Sequence, residues 1–129
     1  MKEVISEQDL QDRISKLASI INNDEFNLKK PVVFVGILNG AFMFFSDLVK
    51  KINLPIEIDF VRVKSYEGQN RKEIKLTKDL ETNIKGKHVY LVDDIIDSGH
   101  TMKFLMNKFS ERGAINVTPI ATIFKENVV

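Results

Sequence analysis

The spacing of apolar positions changes several times along the chain, and each change marks an element. Leu10, Ile14, Leu17, Ala18 and Ile21 recur at helical spacing, behind a capping-box-like start at Ser6 and Asp9. Asn22-Asn23-Asp24 supplies a stop. After Pro31 the periodicity gives way to the continuous apolar run Val32 to Leu38, which has strand length and reads as a strand buried on both faces. Asn39-Gly40 is a turn signal, and Ala41, Phe44, Phe45, Leu48 and Ile52 return to helical spacing. Beyond Pro55, Ile56 to Val63 alternates as a strand does. Lys64 to Lys75 is polar and reads as an exposed loop, with a short extended piece before Lys78. Gly86-Lys87 turns into the strand His88 to Val92, which runs into an acidic loop from Asp93 to Thr101. A helix is predicted over Thr101 to Arg112, with Leu105 and Phe109 inward and Gly113 as its C-terminal cap. Ile115 to Phe124 is the last strand.

Strand and helix patterns alternate, which predicts right-handed βαβ units. The fold class is α/β, a mostly parallel sheet flanked by helices. Such sheets bind ligands beyond the carboxyl ends of their strands. The turns at Asn39 and after Asp93 both lie at that end.

Composition narrows the chemistry. The chain has 129 residues and no internal repeat or linker, so residues 1–129 read as a single domain. A chain of this length buries roughly two thirds of its extended surface, enough for a core without staples. Cysteine is absent, which excludes a thiolate nucleophile and Cys-ligated metal sites, and two histidines leave no multi-His metal site. A net charge of +1 excludes a bulk basic field for nucleic acid. No apolar stretch approaches the roughly 18–20 residues of a membrane span, and Met1-Lys2-Glu3-Val4 does not open a signal peptide. A cytoplasmic protein is expected, with no nucleic-acid and no membrane partner.

The segment after the strand His88 to Val92 is the richest in chemistry. Asp93, Asp94 and Asp97 follow a buried strand, and Ser98, Gly99 and Thr101 stand at the mouth of a helix. Backbone N–H groups, two hydroxyls and a helix dipole there form an anion pocket. Carboxylates beside a phosphate cradle are costly unless a ribose or a Mg²⁺ lies between them. Adjacent strand residues point to opposite faces, so Asp93 and Asp94 are expected to do different jobs. One Asp or Ser here would be an ordinary cap; three acids, two hydroxyls and a glycine exceed what capping requires. His100 alone reads as a solvated residue at the helix start.

Tyr90-Leu91-Val92-Asp93-Asp94-Ile95-Ile96-Asp97-Ser98-Gly99-His100-Thr101 resembles the phosphoribosyl-pyrophosphate signature of type I phosphoribosyltransferases. Its Asp94-to-Gly99 core resembles the hypoxanthine-guanine branch. Phe34 to Phe44 is similar to that family's pyrophosphate loop and following helix, and Asp59 to Tyr66 to the strand entering its mobile lid. The resemblance runs from Val4 to Lys125. It implies Mg²⁺-dependent transfer of a 5-phosphoribosyl group from phosphoribosyl pyrophosphate to hypoxanthine or guanine, giving IMP or GMP and pyrophosphate, in purine salvage.

The same resemblance implies residue roles. Ser98, Gly99, His100 and Thr101 would bind the 5′-phosphate. Asp93 and Asp94 would face the ribose hydroxyls and the Mg²⁺ shell, with Asp93 where the family often has Glu. Asp97 would be the general acid/base at purine N7, with Ile95 and Ile96 lining the same segment. Leu38, Asn39 and Gly40 would hold pyrophosphate, in a loop that can adopt a cis non-proline peptide; Asn39 stands where many relatives carry Lys or Arg. Ser65 and Tyr66 would belong to the lid, and Lys125 would contact the purine's exocyclic oxygen. A homo-oligomer, dimer or tetramer, is implied, with one of Phe42, Phe44 and Phe45 in its interface. Relatives continue past the position of Val129 into a last strand and a hood that stacks on the purine, so the chain reads as type I phosphoribosyltransferase-like and C-terminally truncated.

Two other readings fit parts of the pattern. A non-catalytic nucleotide-sensing module on the same fold, or an inactive truncated relative, would keep the sugar-phosphate half of the site. A phosphoacceptor receiver-type domain also has an acid pair, a Thr and a Lys, but places its acids at the first strand.

Overall fold

A computed structural model describes residues 7–67, 72–96 and 99–124. Helices α1 (Glu7–Asn22) and α2 (Glu25–Lys29) precede β1 (Val32–Leu38), α3 (Phe42–Val49), β2 (Glu57–Glu67), β3 (Lys72–Lys78), β4 (His88–Ile96), α4 (His100–Glu111) and β5 (Asn116–Phe124). The five strands form one sheet in the order β3-β2-β1-β4-β5. β1 pairs in parallel with both β2 and β4, β4 in parallel with β5, and β3 antiparallel to β2.

Alternation along β1 and β4 assigns the two faces. Val33, Val35, Ile37, Val89 and Leu91 point into a core closed by Leu105 and Phe109 of α4. Val32, Phe34, Tyr90 and Val92 point into a second core, closed by Ile14, Ala18 and Ile21 of α1 and Phe44, Phe45 and Leu48 of α3. Gly36 faces the second core because a Cβ there would come within 2.9 Å of Phe45 Cδ1 and 3.0 Å of Phe60 Cδ1. The chain leaves β1 toward β2 on one side and β4 toward β5 on the other, so the strand order reverses between β1 and β4. A crevice at the carboxyl ends of those two strands is where such sheets take ligands.

The expected elements are present, with five differences. β4 runs through Asp93, Asp94, Ile95 and Ile96, so the first half of the expected acidic loop is strand. Pairing with β5 at Asp93↔Ala121 and Ile95↔Ile123 carries it that far. The expected loop from Lys64 to Lys75 is largely a hairpin, in which Val63 pairs with Leu76 and Ser65 with Ile74. Its polar residues belong to an edge ribbon with solvated side chains, a setting in which strands need no apolar run. Ile52 lies past the end of α3, and Ile115 precedes β5 and is exposed. The short α2, capped by Asp24 on the Phe26 amide, was not anticipated. Ser6, the expected cap of α1, lies outside the described residues.

α2 delivers Asn27 to a buried polar cluster at the far end of β4. Asn27 Nδ2 donates to Tyr90 Oη (2.7 Å) and to the Ile21 carbonyl (3.0 Å), and its Oδ1 lies 2.7 Å from His88 Nδ1. Burial holds the His88 imidazole below its ordinary pKa and pushes the Tyr90 phenol up. This cluster sits at the amino end of the strand, opposite the crevice.

Candidate active site

Two connections converge at the carboxyl end of the sheet. In the first, β1 ends at Leu38 and the Leu38–Asn39 peptide is cis. The Ala41 N–H bonds back to the Ile37 carbonyl (3.3 Å) and the Phe42 N–H to the Asn39 carbonyl (3.2 Å), turning the chain through Asn39-Gly40 straight into α3. In the second, β4 continues past its pairing with β1, which ends at Gly36↔Val92, and so carries Asp93 and Asp94 above the end of β1.

The two meet at Gly40. A Cβ on that glycine would lie 2.9 Å from Asp94 Oδ2 and 3.0 Å from Asp94 Oδ1. Alternation puts Asp94 on the α3 face, over the turn that starts α3, and Asp93 on the α4 face. The carboxyls are nonetheless linked. Asp93 Oδ1 accepts from the Asp94 amide at 2.8 Å. Burial, the hydrogen bond that a protonated Asp93 donates to the Asp94 carboxyl and the like charge together raise the Asp93 pKa to about 6. The two residues thus face different loops, while the Asp94 carboxyl bears on the titration of Asp93.

α4 opens beside the acid pair. Gly99 has φ +82°, the left-handed conformation that glycine adopts at no steric cost, and as the N-cap residue it makes no side-chain cap bond. The first helical bond is Lys103 N–H to the Gly99 carbonyl (2.9 Å), so the first-turn amides, those of Thr101 and Met102 among them, have no acceptor within the helix. That is the arrangement a phosphate ester uses.

The remaining site residues divide clearly. Leu38, Asn39, Gly40, Asp93, Asp94, Gly99, His100 and Thr101 lie at this end of the sheet, and Ile95 and Ile96 continue β4 there. Ser65 and Tyr66 sit on the hairpin beyond Arg62, where the β1–β2 pairing stops, so they project past the sheet body. Asp97, Ser98 and Lys125 lie outside the described residues. Sequence reasoning missed Arg62, whose Nη2 donates to Asn39 Oδ1 at 2.9 Å. The register Leu38↔Arg62 creates that contact, and register between distant strands is not written in local pattern.

Among the described residues no cluster of three metal-ligating side chains occurs. The Asp93–Asp94 pair fits a hard divalent cation all the same, because Mg²⁺ is commonly held by one or two carboxylates with waters and substrate phosphates completing its shell. Two linked carboxyls, one of them protonated up to about pH 6, are a donor set that a cation would relieve. No helix among the described residues is long and apolar enough to cross a membrane.

Comparison with known proteins agrees with this geometry. The profile of the phosphoribosyl transferase domain matches residues 2–127. The hypoxanthine phosphoribosyltransferase of Haemophilus influenzae is 40% identical over 120 residues, covering 89% of this chain and 66% of that protein. A Streptococcus pyogenes hypoxanthine-guanine phosphoribosyltransferase is 39% identical over 125 residues, covering 95% of this chain and 68% of the relative. The crystal structure of a Staphylococcus aureus hypoxanthine phosphoribosyltransferase superposes with a TM-score of 0.88 at 34% identity, over 98% of this chain and 70% of that one. The chain thus belongs to the phosphoribosyltransferase family, in its hypoxanthine-guanine branch. These relatives are enzymes of the glycosyltransferase class, and the chain spans about two thirds of their length.

Proposed function

We propose that this chain carries the phosphoribosyl-pyrophosphate site of a purine-salvage enzyme, which joins the 5-phosphoribosyl group to hypoxanthine or guanine and releases pyrophosphate. The observation that carries this reading is the contact between Gly40 and Asp94, which joins a tight anion-type turn to an acid pair beside the glycine-led start of α4.

The roles follow from the chemistry of each position. The first-turn amides of α4, with Ser98, Gly99, His100 and Thr101, hold the 5′-phosphate. Asp93 and Asp94 accept from the ribose hydroxyls and orient the diol. Leu38, Asn39 and Gly40 hold the pyrophosphate. The reacting carbon passes through an oxocarbenium-like state as its bond to pyrophosphate oxygen breaks and the bond to purine nitrogen forms. Fixing both ends of the donor lowers the cost of that passage. Asp97 takes or gives the proton that shifts at purine N7. Ser65 and Tyr66, on the projecting hairpin, close over the donor and keep water from the activated sugar. Lys125 meets the purine oxygen. Mg²⁺, held through Asp93 and Asp94, would neutralise charge on the diphosphate. A homo-oligomer would bury Phe42 and Met43, which are 57% and 70% exposed on α3 while Phe44 and Phe45 fill the core.

The test is a spectrophotometric assay with phosphoribosyl pyrophosphate and each purine, with and without Mg²⁺, beside calorimetry with the donor alone. Nucleotide formation that needs Mg²⁺ supports the reading. Donor binding without turnover reduces the chain to a binding module, and absence of both overturns the proposal.

A further inference from the structure

The anion-type turn contains no cation of its own. Ile37, Leu38, Asn39, Gly40 and Ala41 are all uncharged, and the Asp94 carboxylate lies against Gly40. A diphosphate at this turn would meet negative charge on one side and needs positive charge on the other. The parallel register sets Arg62 beside Leu38, at the strand end from which the turn departs. The pairing of β2 with β3 shifts register between Arg62 and Val63, an irregularity of the kind that re-aims a side chain. The exposed Arg62 guanidinium reaches the turn and donates from Nη2 to Asn39 Oδ1 at 2.9 Å. Lys78, on the neighbouring strand, is committed elsewhere: its Nζ donates to the Phe60 carbonyl at 2.8 Å and lies 3.7 Å from Asp59 Oδ1. A guanidinium presents five N–H donors in a planar fork suited to phosphate oxygens, so one bond to Asn39 orients the group without exhausting it.

We propose that Arg62, held over the turn by Asn39, is the cation that binds pyrophosphate in this protein. The neutral Asn39 serves as its anchor, so that the charge enters from the next strand rather than from the turn. The inference deepens the phosphoribosyltransferase reading and rests on it. Arg62 touches the leaving group and not the ribose, which gives it a separable signature.

Calorimetry on the chain, with inorganic pyrophosphate plus Mg²⁺ and separately with ribose 5-phosphate, tests this. R62Q should weaken pyrophosphate binding about tenfold or more while ribose 5-phosphate affinity stays within about twofold, as expected for loss of charge-assisted hydrogen bonds to one ligand only. N39K in the R62Q background should recover most of the loss, because it returns the charge to the same turn. Far-ultraviolet circular dichroism and melting confirm that each variant is folded, and R62K, which keeps charge but loses the fork, should fall between wild type and R62Q. Unchanged pyrophosphate affinity in R62Q, or equal weakening toward both ligands, overturns the assignment of Arg62. If the wild type binds phosphoribosyl pyrophosphate, that failure belongs to Arg62 alone. If the wild type binds no phosphoribosyl ligand at all, the underlying reading fails with it.

Discussion

Gly40 and Asp94 fill one another's space: the place a Cβ would take on Gly40 is 2.9 Å from Asp94 Oδ2 and 3.1 Å from its Cγ. The glycine is required here by proximity. The obstructing atoms are the end of a side chain, which can rotate away, so an added methyl would move the acid rather than break the fold.

Gly40→Ala should therefore separate function from stability. Melting should shift little, by the equivalent of less than about 1 kcal/mol, as expected for an exposed turn position. Affinity for phosphoribosyl pyrophosphate with Mg²⁺ should fall by about tenfold or more, because displacement of one binding carboxylate by about an ångström is expensive in a preorganised site. Calorimetry beside a thermal melt reads both, and an unaltered donor affinity would contradict the shared role of turn and acid pair.

The Asp93–Asp94 pair makes a pH prediction with two opposite signs. Asp93 has an ordinary value of 3.8 and is raised to about 6 by burial and by Asp94. Between those values the folded chain binds more protons than the unfolded one, so this group's contribution to stability is present at low pH and is lost as pH rises through about 6. Cation binding runs the other way, since the ion competes with that proton. Mg²⁺ affinity should climb across the same window and level off above it. Asp94→Asn removes the like charge and should bring the Asp93 midpoint down, which a ¹³C-carboxyl NMR titration would follow.

Much of this was legible in the chain itself, and what was not has a physical cause. Val32 to Leu38 is apolar without interruption because both faces of β1 are covered, and its limits could be read directly. The hairpin was not legible: Lys64, Ser65, Glu73 and Lys75 are solvated on an edge ribbon and carry the composition of a loop. Asp93 and Asp94 break the apolar run of β4, so the pattern alone ends the strand early, although Asp93 and Ile95 stay in the ladder with β5. Among the site residues, the acids were legible as a cluster in sequence. The approach of Gly40 to Asp94 and the reach of Arg62 to Asn39 join distant segments, and only the order and register of the strands create them.

Gly36 offers a test of packing on the same strand. Phe45 and Phe60 lie with ring centroids 4.8 Å apart, and both crowd the place of a Gly36 side chain. Gly36→Ala should destabilise the fold by about 1–3 kcal/mol through overpacking. The double variant Gly36→Ala with Phe60→Leu should recover part of that loss in urea unfolding, since Phe60 is partly buried and can yield volume. Additive losses in the two single variants would show that the phenyl is not what excludes the methyl.

Asp59 closes the base of the hairpin, and its removal should damage the frame rather than the chemistry. Its Oδ2 accepts from the amides of Glu81 and Thr82, both at 2.8 Å, and its Oδ1 from its neighbour Phe60 at 2.7 Å. Burial alone would raise its pKa, but the amides of Phe60, Thr82 and Glu81 outweigh that and hold it below the ordinary carboxylate value. A depressed carboxyl contributes stability that is present above the unfolded value of 3.8 and is lost as pH falls through the folded one. Asp59→Ala strands those donors and should cost about 3 kcal/mol near neutral pH, a loss typical of broken hydrogen bonds to a buried charge. The acid-side decline of the wild type should then be shallower in the variant. Unfolding curves at pH 7 and at pH 3.5 compare the two, and equal slopes would mean that Asp59 is not the group whose protonation loosens the hairpin.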